Sequence, residues 1–326
     1  MKAVQFSETG GPDVLEYVDM LKPSAGPGEV LVRAEAFGVG KPDVLLRTGV
    51  YKWMPPLPAV IGNEMAGVIE AVGSGVSDFA MGQRVLVFGT GGGRHAEYNA
   101  VPTDIITPLT ENIAMEDAVS IPNYAIAWCL LFEVHGGAEV RRVYVNGAAG
   151  GVGSAVVDIC RHAGIEVIAG AGSKARCAAA EKLGATHTID YSTENGIERV
   201  DEITKGEGVT LVLDQLIGPS FTDSLAMLAP LGTIISFNAL AGMPDKNLFV
   251  EMRANLAKSP AVRCFSWHSY DRAPEMRARI LDEVVNLFDA GAVKPLIAET
   301  LPLSEARRAH EILDARENIG KIVLVP

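Results

Sequence analysis

The glycines of Gly147-Ala-Ala-Gly150-Gly151-Val-Gly153 stand between an apolar run, Val143 to Asn146, and a helical pattern that stops at Gly164. Strand, tight turn and helix in that order make a seat for a diphosphate. Gly147 permits the sharp exit from the strand, and Gly150 and Gly151, with Ala149 and Val152 in the same turn, let the backbone approach a pyrophosphate. Gly153 lets the helix pack closely on the sheet. The free N–H groups and positive dipole end of that helix then face the anion. Glycine-rich turns also join ordinary strands and helices, but a second strand follows here, so the segment reads as a dinucleotide site.

The end of the second strand decides which dinucleotide is bound. An Asp or Glu there would hold the ribose 2′-hydroxyl of NAD and repel a 2′-phosphate. The segment instead reads Ala169-Gly-Ala-Gly-Ser173-Lys174-Ala-Arg176, a hydroxyl and two cations with no acid. Cations at a helix N-terminus oppose its dipole, and a bound phosphate gives them a reason. The alternative is a solvated first helical turn capped by Ser173. The phosphate reading is preferred, which makes NADPH the expected cofactor.

The elements that position these residues follow from the texture of the chain. At 326 residues, with 48% hydrophobic and 21% charged content, it exceeds what one core usually supports and should form two domains. Up to about residue 120 the pattern is strand-like and often interrupted: Val30, Val32, Ala34 and Ala36 alternate, and the runs Ala66 to Val72 and Arg84 to Phe88 are bounded by Gly and Pro. That spacing predicts a small irregular β-barrel. From Val143 short buried strands alternate with helical patterns, the signature of a doubly wound parallel sheet. The predicted strands are Val143 to Asn146, Glu166 to Gly170, Thr186 to Asp190, Leu211 to Gln215 and Thr233 to Phe237. Two helices follow, Pro274 to Ala290 and Ser304 to Arg316, the second capped by Ser304, and then a strand, Lys321 to Val325. The expected division is 1–120 with 265–326 for the barrel domain and 121–264 for the dinucleotide domain.

Composition excludes other classes. A formal net charge of −12 without any basic run disfavours nucleic acid and anionic lipid as partners. The longest apolar stretch, Tyr124 to Phe132, falls short of the roughly 20 residues of a membrane span and reads as a buried helix. Met1 to Phe6 lacks an apolar leader pattern and reads as a first strand. The cysteines (Cys129, Cys160, Cys177, Cys264) form no C-x-x-C pair, and no histidine stands at ligand spacing from another donor. No metal site is expected, and a reducing, cytoplasmic location is.

These residues resemble the zinc-independent quinone oxidoreductases, the zeta-crystallin-like branch of the medium-chain dehydrogenase/reductase superfamily, along essentially the whole chain. The stretches that carry the likeness are Asp43 to Tyr51 with its Arg-x-Gly-x-Tyr ending, Gly62-x-Glu64-x-Ala-Gly67, Gly82-Gln-Arg-Val85, Gly147 to Gly153, Leu183-Gly-Ala185, Ile189-Asp-Tyr191 and Gly320-Lys-Ile-Val-Leu324. The resemblance implies a GroES-like domain holding much of the substrate site, a Rossmann domain between its two segments, NADPH in the cleft, and a homodimer. It gives Ser173, Arg176 and Tyr191 contact with the 2′-phosphate, with Lys174 nearby, and places Phe237 and Asn238 in the loop beside the nicotinamide. Tyr191 would otherwise pack on the sheet, and Asn238 would be an ordinary turn residue. In the zinc-containing cousins the ligands are a Cys three residues before the Asp at position 43 and a His just before the Glu at position 64. Here those positions are Gly40 and Asn63. Quinone reductases usually carry Asn at the first of them and Tyr two residues after the Asp, where this chain has Gly40 and Leu45.

A simple ketone that accepts hydride develops a localised alkoxide, which needs a metal or a strong acid. A quinone, enone or enal spreads that charge, so a hydrogen-bond donor or solvent can complete the reaction. The sequence therefore predicts reduction of a small conjugated carbonyl or quinone, with Tyr51, Lys41 and Asn63 as candidate donors. Each has a plainer reading: Tyr51 packed in a loop, Lys41 solvated, Asn63 stabilising a turn. Asp43 and Arg47, four apart on a short helix, read as scaffold first. Two other functions stay open, an NADPH-binding redox sensor with little turnover and, less favoured, a zinc-dependent alcohol dehydrogenase.

Overall fold

The computed structural model describes residues 1–89, 91–137 and 139–326. In chain order its strands are β1 (Lys2–Phe6), β2 (Glu16–Asp19), β3 (Glu29–Val39), β4 (Ala59–Val60), β5 (Glu64–Val72), β6 (Arg84–Phe88), β7 (Tyr98–Pro102), β8 (Ile106–Pro108), β9 (Arg142–Asn146), β10 (Glu166–Ala171), β11 (His187–Asp190), β12 (Val209–Asp214), β13 (Leu228–Ser236), β14 (Ala261–Cys264), β15 (Ile297–Pro302) and β16 (Lys321–Val325). The helices are α1 (Lys41–Arg47), α2 (Met115–Ala118), α3 (Ile121–Trp128), α4 (Gly151–Ala163), α5 (Lys174–Leu183), α6 (Gly196–Thr204), α7 (Leu248–Ala254), α8 (Pro274–Asp289) and α9 (Ala306–Asp314). None is long and apolar enough to cross a membrane among the described residues.

Two compact units result, Met1–Pro122 with Leu281–Pro326, and Asn123–Ile280. In the first, β3 is the central strand: it pairs antiparallel with β5, β7 and β16, within the sheet order β15-β16-β3-β5-β6-β8. A smaller sheet, β2-β1-β4, joins it through a bridge between Ala3 and Ala96. Phe6, Phe37, Leu46, Ile61, Met65 and Leu324 are fully enclosed in one core here. The irregular β architecture follows from small residues on β3 that pack on both faces, so no simple inside and outside alternation develops.

The second unit is a six-stranded parallel sheet in the order β11-β10-β9-β12-β13-β14, with Tyr144, Ile168, Val212 and Ile234 in its core. Five strands fall on the segments read from the sequence. The sixth, β14, was not read because Ala261-Val-Arg-Cys264 is an edge strand, largely exposed and without a buried apolar run. The chain passes back to the first unit at Ile280/Leu281 rather than at 264/265. Beyond β14 a short 3-10 turn, Trp267–Tyr270, stays with the parallel sheet, Tyr270 packing on Phe265 and Trp267.

Ser304 does not cap α9. A 3-10 turn, Leu303–Glu305, intervenes with Leu303 buried, and α9 starts at Ala306 after Glu305. At Gly153 a methyl group would fall 2.3 Å from the Gly147 carbonyl oxygen and 2.9 Å from the Ala148 Cα, both backbone. Gly153→Ala should therefore cost roughly 1–3 kcal/mol of stability, read as a lowered urea midpoint with unchanged slope. Wild-type stability in this variant would refute the close packing of α4 on the turn.

Candidate functional site

On either side of β9 the sheet order runs in opposite directions, to β10 and β11 one way and to β12, β13 and β14 the other. Open parallel sheets bind ligands at such a reversal, outside the carboxyl ends of the strands. The glycine turn lies there. Gly147 has φ +78°, and its N–H and that of Ala148 both donate to the Gly170 carbonyl at 2.9 Å, which fixes the turn to β10. Gly150 is the N-cap of α4 and donates to the Gly147 carbonyl at 3.1 Å. Ala149 and Gly153 are buried, while Gly151 and Val152 are half-buried in the first turn. Helix geometry leaves first-turn amides without intrahelical acceptors, which supplies the donors an anion needs.

At the end of β10, Ser173 caps α5 by accepting the Arg176 N–H at 3.4 Å. Its hydroxyl proton is still there to donate. Lys174 is exposed and Arg176 half-buried on the same turn. Tyr191, 40% exposed, lies over Gly172, where a methyl group would sit 3.1 Å from its ring and hydroxyl. A hydroxyl, two cations and a phenol thus share one strand end. The neighbouring acid, Asp190, is tied up locally, accepting from the Ser192 N–H at 3.1 Å and its hydroxyl at 2.6 Å. Across the sheet, the Phe237 N–H donates to the Asp214 carbonyl at 3.2 Å. Asn238 closes its own turn: its Oδ1 accepts the Ala239 N–H at 3.0 Å and its carbonyl accepts the Ser236 hydroxyl at 3.1 Å.

Sequence reasoning passed over the residues that end β12. Asp214, buried, accepts from Asn146 Nδ2 at 3.2 Å and from the N–H groups of Leu216 and Ile217 at 2.7 and 3.1 Å. Burial raises its carboxyl above the usual range, opposed by those N–H donors. Gln215 reaches back to the glycine turn. The readable signal was a polar pair, Asp-Gln, ending an otherwise apolar strand.

In the other unit, Gly40 caps α1 and its N–H donates to Asp43 Oδ2 at 2.8 Å. Asn63 Nδ2 donates to Asp43 Oδ1 at 2.8 Å, and Asn63 Oδ1 accepts the Gly92 N–H at 3.4 Å. Both ends of the Asn63 amide are therefore used inside the protein. Lys321, on β16, forms an ion pair with Glu64, both almost fully enclosed. Its ammonium lies 3.5 Å from where a Cβ at position 40 would be. Burial raises Asp43 to about 6 and raises Glu64 against the pull of Lys321. His95, whose Nε2 lies 3.1 Å from the Gly38 carbonyl, is lowered by burial to about 4 and is neutral at physiological pH. Arg47 is buried and pairs with Asp314 at 2.6 Å, not with Asp43.

Tyr51 is half-buried against the core, 5.5 Å ring to ring from Trp53. Lys41 is exposed, and partial desolvation lowers its pKa despite Asp314. Glu64 and Lys321 were quoted from the sequence only as signature residues; a charge at the head of each apolar strand was the clue to a buried pair. Among the described residues no group of three His, Cys, Asp or Glu side chains is placed to hold a metal ion.

Comparison with known proteins finds relatives along the whole chain. Residues 26–111 match the alcohol dehydrogenase GroES-like domain, and residues 183–324 match the zinc-binding dehydrogenase family. The chain is 34% identical over 331 residues to a quinone oxidoreductase of Pseudomonas aeruginosa, covering 100% of this chain and 99% of that one. It is 32% identical over 335 residues to a 2-haloacrylate reductase of Burkholderia, covering 99% and 98%. The crystal structure of Escherichia coli quinone oxidoreductase complexed with NADPH superposes with a TM-score of 0.91 at 29% identity, covering 100% of both chains.

Two outcomes follow from the buried cluster. Lys321→Met should lower stability by about 3–5 kcal/mol, because it leaves Glu64 enclosed without a counter-charge. Adding Glu64→Gln should recover part of that, and a double variant as unstable as the single one would contradict the ion-pair account. Burial raises Asp43 from 3.8 to about 6, so its contribution to stability is fully present below about pH 4 and is lost as pH rises through 6. The stability difference between wild type and Asp43→Asn should fall across that window in urea titrations at stepped pH; a flat difference would show that Asp43 does not titrate there.

Proposed function

The chain belongs to the quinone oxidoreductase branch of the medium-chain dehydrogenase/reductase superfamily, and we propose that it uses NADPH to reduce a quinone, enone or enal by hydride transfer without a metal. The observation that carries the acceptor class is the chemistry at positions 40 and 63. Gly40 offers no side chain, and the Asn63 amide is committed to Asp43 and Gly92. Neither residue supplies a metal ligand, so a localised alkoxide has no Lewis acid to meet it. A conjugated acceptor spreads the charge instead. The names of the two relatives, a quinone oxidoreductase and a 2-haloacrylate reductase, share that conjugation.

The residues present fit NADPH. The first-turn amides of α4 and the backbone from Gly147 to Gly153 would hold the diphosphate, and Ser173, Lys174, Arg176 and Tyr191 the 2′-phosphate. Phe237 and Asn238 would flank the nicotinamide, which supplies the hydride when bound. Tyr51, Lys41 and the second Nδ2–H of Asn63 are the candidate donors, and substrate positioning does most of the work.

The test is the loss of NADPH absorbance by the purified chain with a panel of quinones, enones and enals, against simple ketones as controls. Turnover confined to the conjugated compounds and unaffected by chelators is expected. No oxidation across the panel would overturn the enzyme reading, and stoichiometric zinc by elemental analysis would overturn the metal-free one. Arg176→Ala should raise the KM for NADPH about tenfold or more while leaving that for NADH nearly unchanged. Equal KM values for NADPH before and after would remove the phosphate pocket.

A further inference from the structure

Gln215 follows the last residue of β12, and its backbone is held from both sides. Asp214 Oδ1 accepts the N–H groups of Leu216 and Ile217 at 2.7 and 3.1 Å, and the Gln215 carbonyl accepts the Leu240 N–H at 3.2 Å. From that fixed base the side chain crosses to β9. Its Nε2 donates to the Gly147 carbonyl at 3.0 Å and lies 3.5 Å from the Asn146 carbonyl. The carboxamide fills the space beside the turn: Nε2 lies 2.3 Å from where a Cβ on Gly147 would be and 3.4 Å from one on Gly150.

The Gly147 carbonyl also accepts the Gly150 N–H at 3.1 Å, so with Gln215 both of its lone pairs are engaged. The N–H on the far side of the same peptide, that of Ala148, donates to Gly170 at 2.9 Å. This peptide plane is thus fixed at both ends. The electrostatic result matters as much. Carbonyl oxygens carry partial negative charge and repel an anion seated on the same turn, and a donor placed on them reduces that repulsion.

We propose that Gln215 is a positioning residue for the dinucleotide: its carboxamide clamps the carbonyl side of the glycine turn, so that the amide side meets the diphosphate in fixed geometry. This rests on the dinucleotide reading given above. The inference adds a side chain to a site otherwise built of backbone, and it makes position 215 sensitive to charge as well as size.

The test uses the full chain and NADP⁺, which tolerates acid, in titration calorimetry with Gln215→Ala and Gln215→Glu. At neutral pH a glutamate there turns a donor into a carboxylate facing two carbonyls and the diphosphate, and the Kd should rise about tenfold or more. On acidification the protonated carboxyl regains an O–H donor, so the Gln215→Glu variant should recover affinity as pH falls while wild type does not. Gln215→Ala should bind about threefold more weakly at every pH. Amide hydrogen exchange without ligand should be faster from Asn146 to Gly153 in Gln215→Ala. Both variants binding within about twofold of wild type, or weaker binding with unchanged exchange, overturns the clamp. If wild type itself binds no NADP⁺, the cofactor reading fails, and the exchange rates alone then decide whether Gln215 fixes the turn.

Discussion

The ion pair between Lys321 and Glu64 joins residues 257 positions apart in a place water does not reach. A buried charge costs several kcal/mol to desolvate, so neither side chain is tolerable there without the other. Their meeting requires β16 to lie beside β3 and β3 beside β5, which is the pairing observed. The end of the chain is therefore needed to complete a sheet begun in its first tenth. The same ammonium acts on Asp43, holding down a carboxyl that burial drives up to about 6. Around it, Gly40, Asp43, Asn63 and Gly92 are joined by hydrogen bonds, so the polar groups here keep an orientation fixed by the chain itself.

The dinucleotide unit is built on a different principle. Its glycine turn is mainly backbone: an exit from β9 through left-handed space, a helix capped by Gly150, and amides and carbonyls pinned to neighbouring strands. Side chains enter at the margins. Ser173, Lys174, Arg176 and Tyr191 gather where β10 ends, Asp214 and Gln215 where β12 ends. On the proposed reading the backbone would meet the diphosphate, a feature common to all dinucleotides, and the side chains at the end of β10 would discriminate among them.

This difference explains what the sequence made legible. A backbone site leaves a local signature, since glycine spacing, flanking strand and following helix all lie within about one β-α-β unit. The turn, the five strands from β9 to β13 and the acid-free end of β10 could be read for that reason. The buried cluster has no such signature. The partners of Asn63 could not be read because its neighbours in space, Asp43 and Gly92, are distant in sequence. Lys321 looked like a family signature because nothing in Gly-Lys-Ile-Val-Leu says which acid it meets. β14 escaped because an edge strand has few apolar residues to bury, and the start of α9 shifted because Leu303 went into the core and drew the preceding turn into a 3-10 geometry.

The hydrogen-bonded network also constrains the chemistry proposed for the substrate side. A polar group bonded at both ends has lost part of its freedom to reorient toward a shifting charge. Asp43 and Asn63 are in that position, and His95 is neutral, buried and directed at the Gly38 carbonyl. On the proposed reading, an acceptor that distributes its charge over a conjugated system would ask least of such groups, needing positioning and a proton from Tyr51, Lys41, Asn63 or solvent rather than a side chain that must reorient as charge develops on one oxygen.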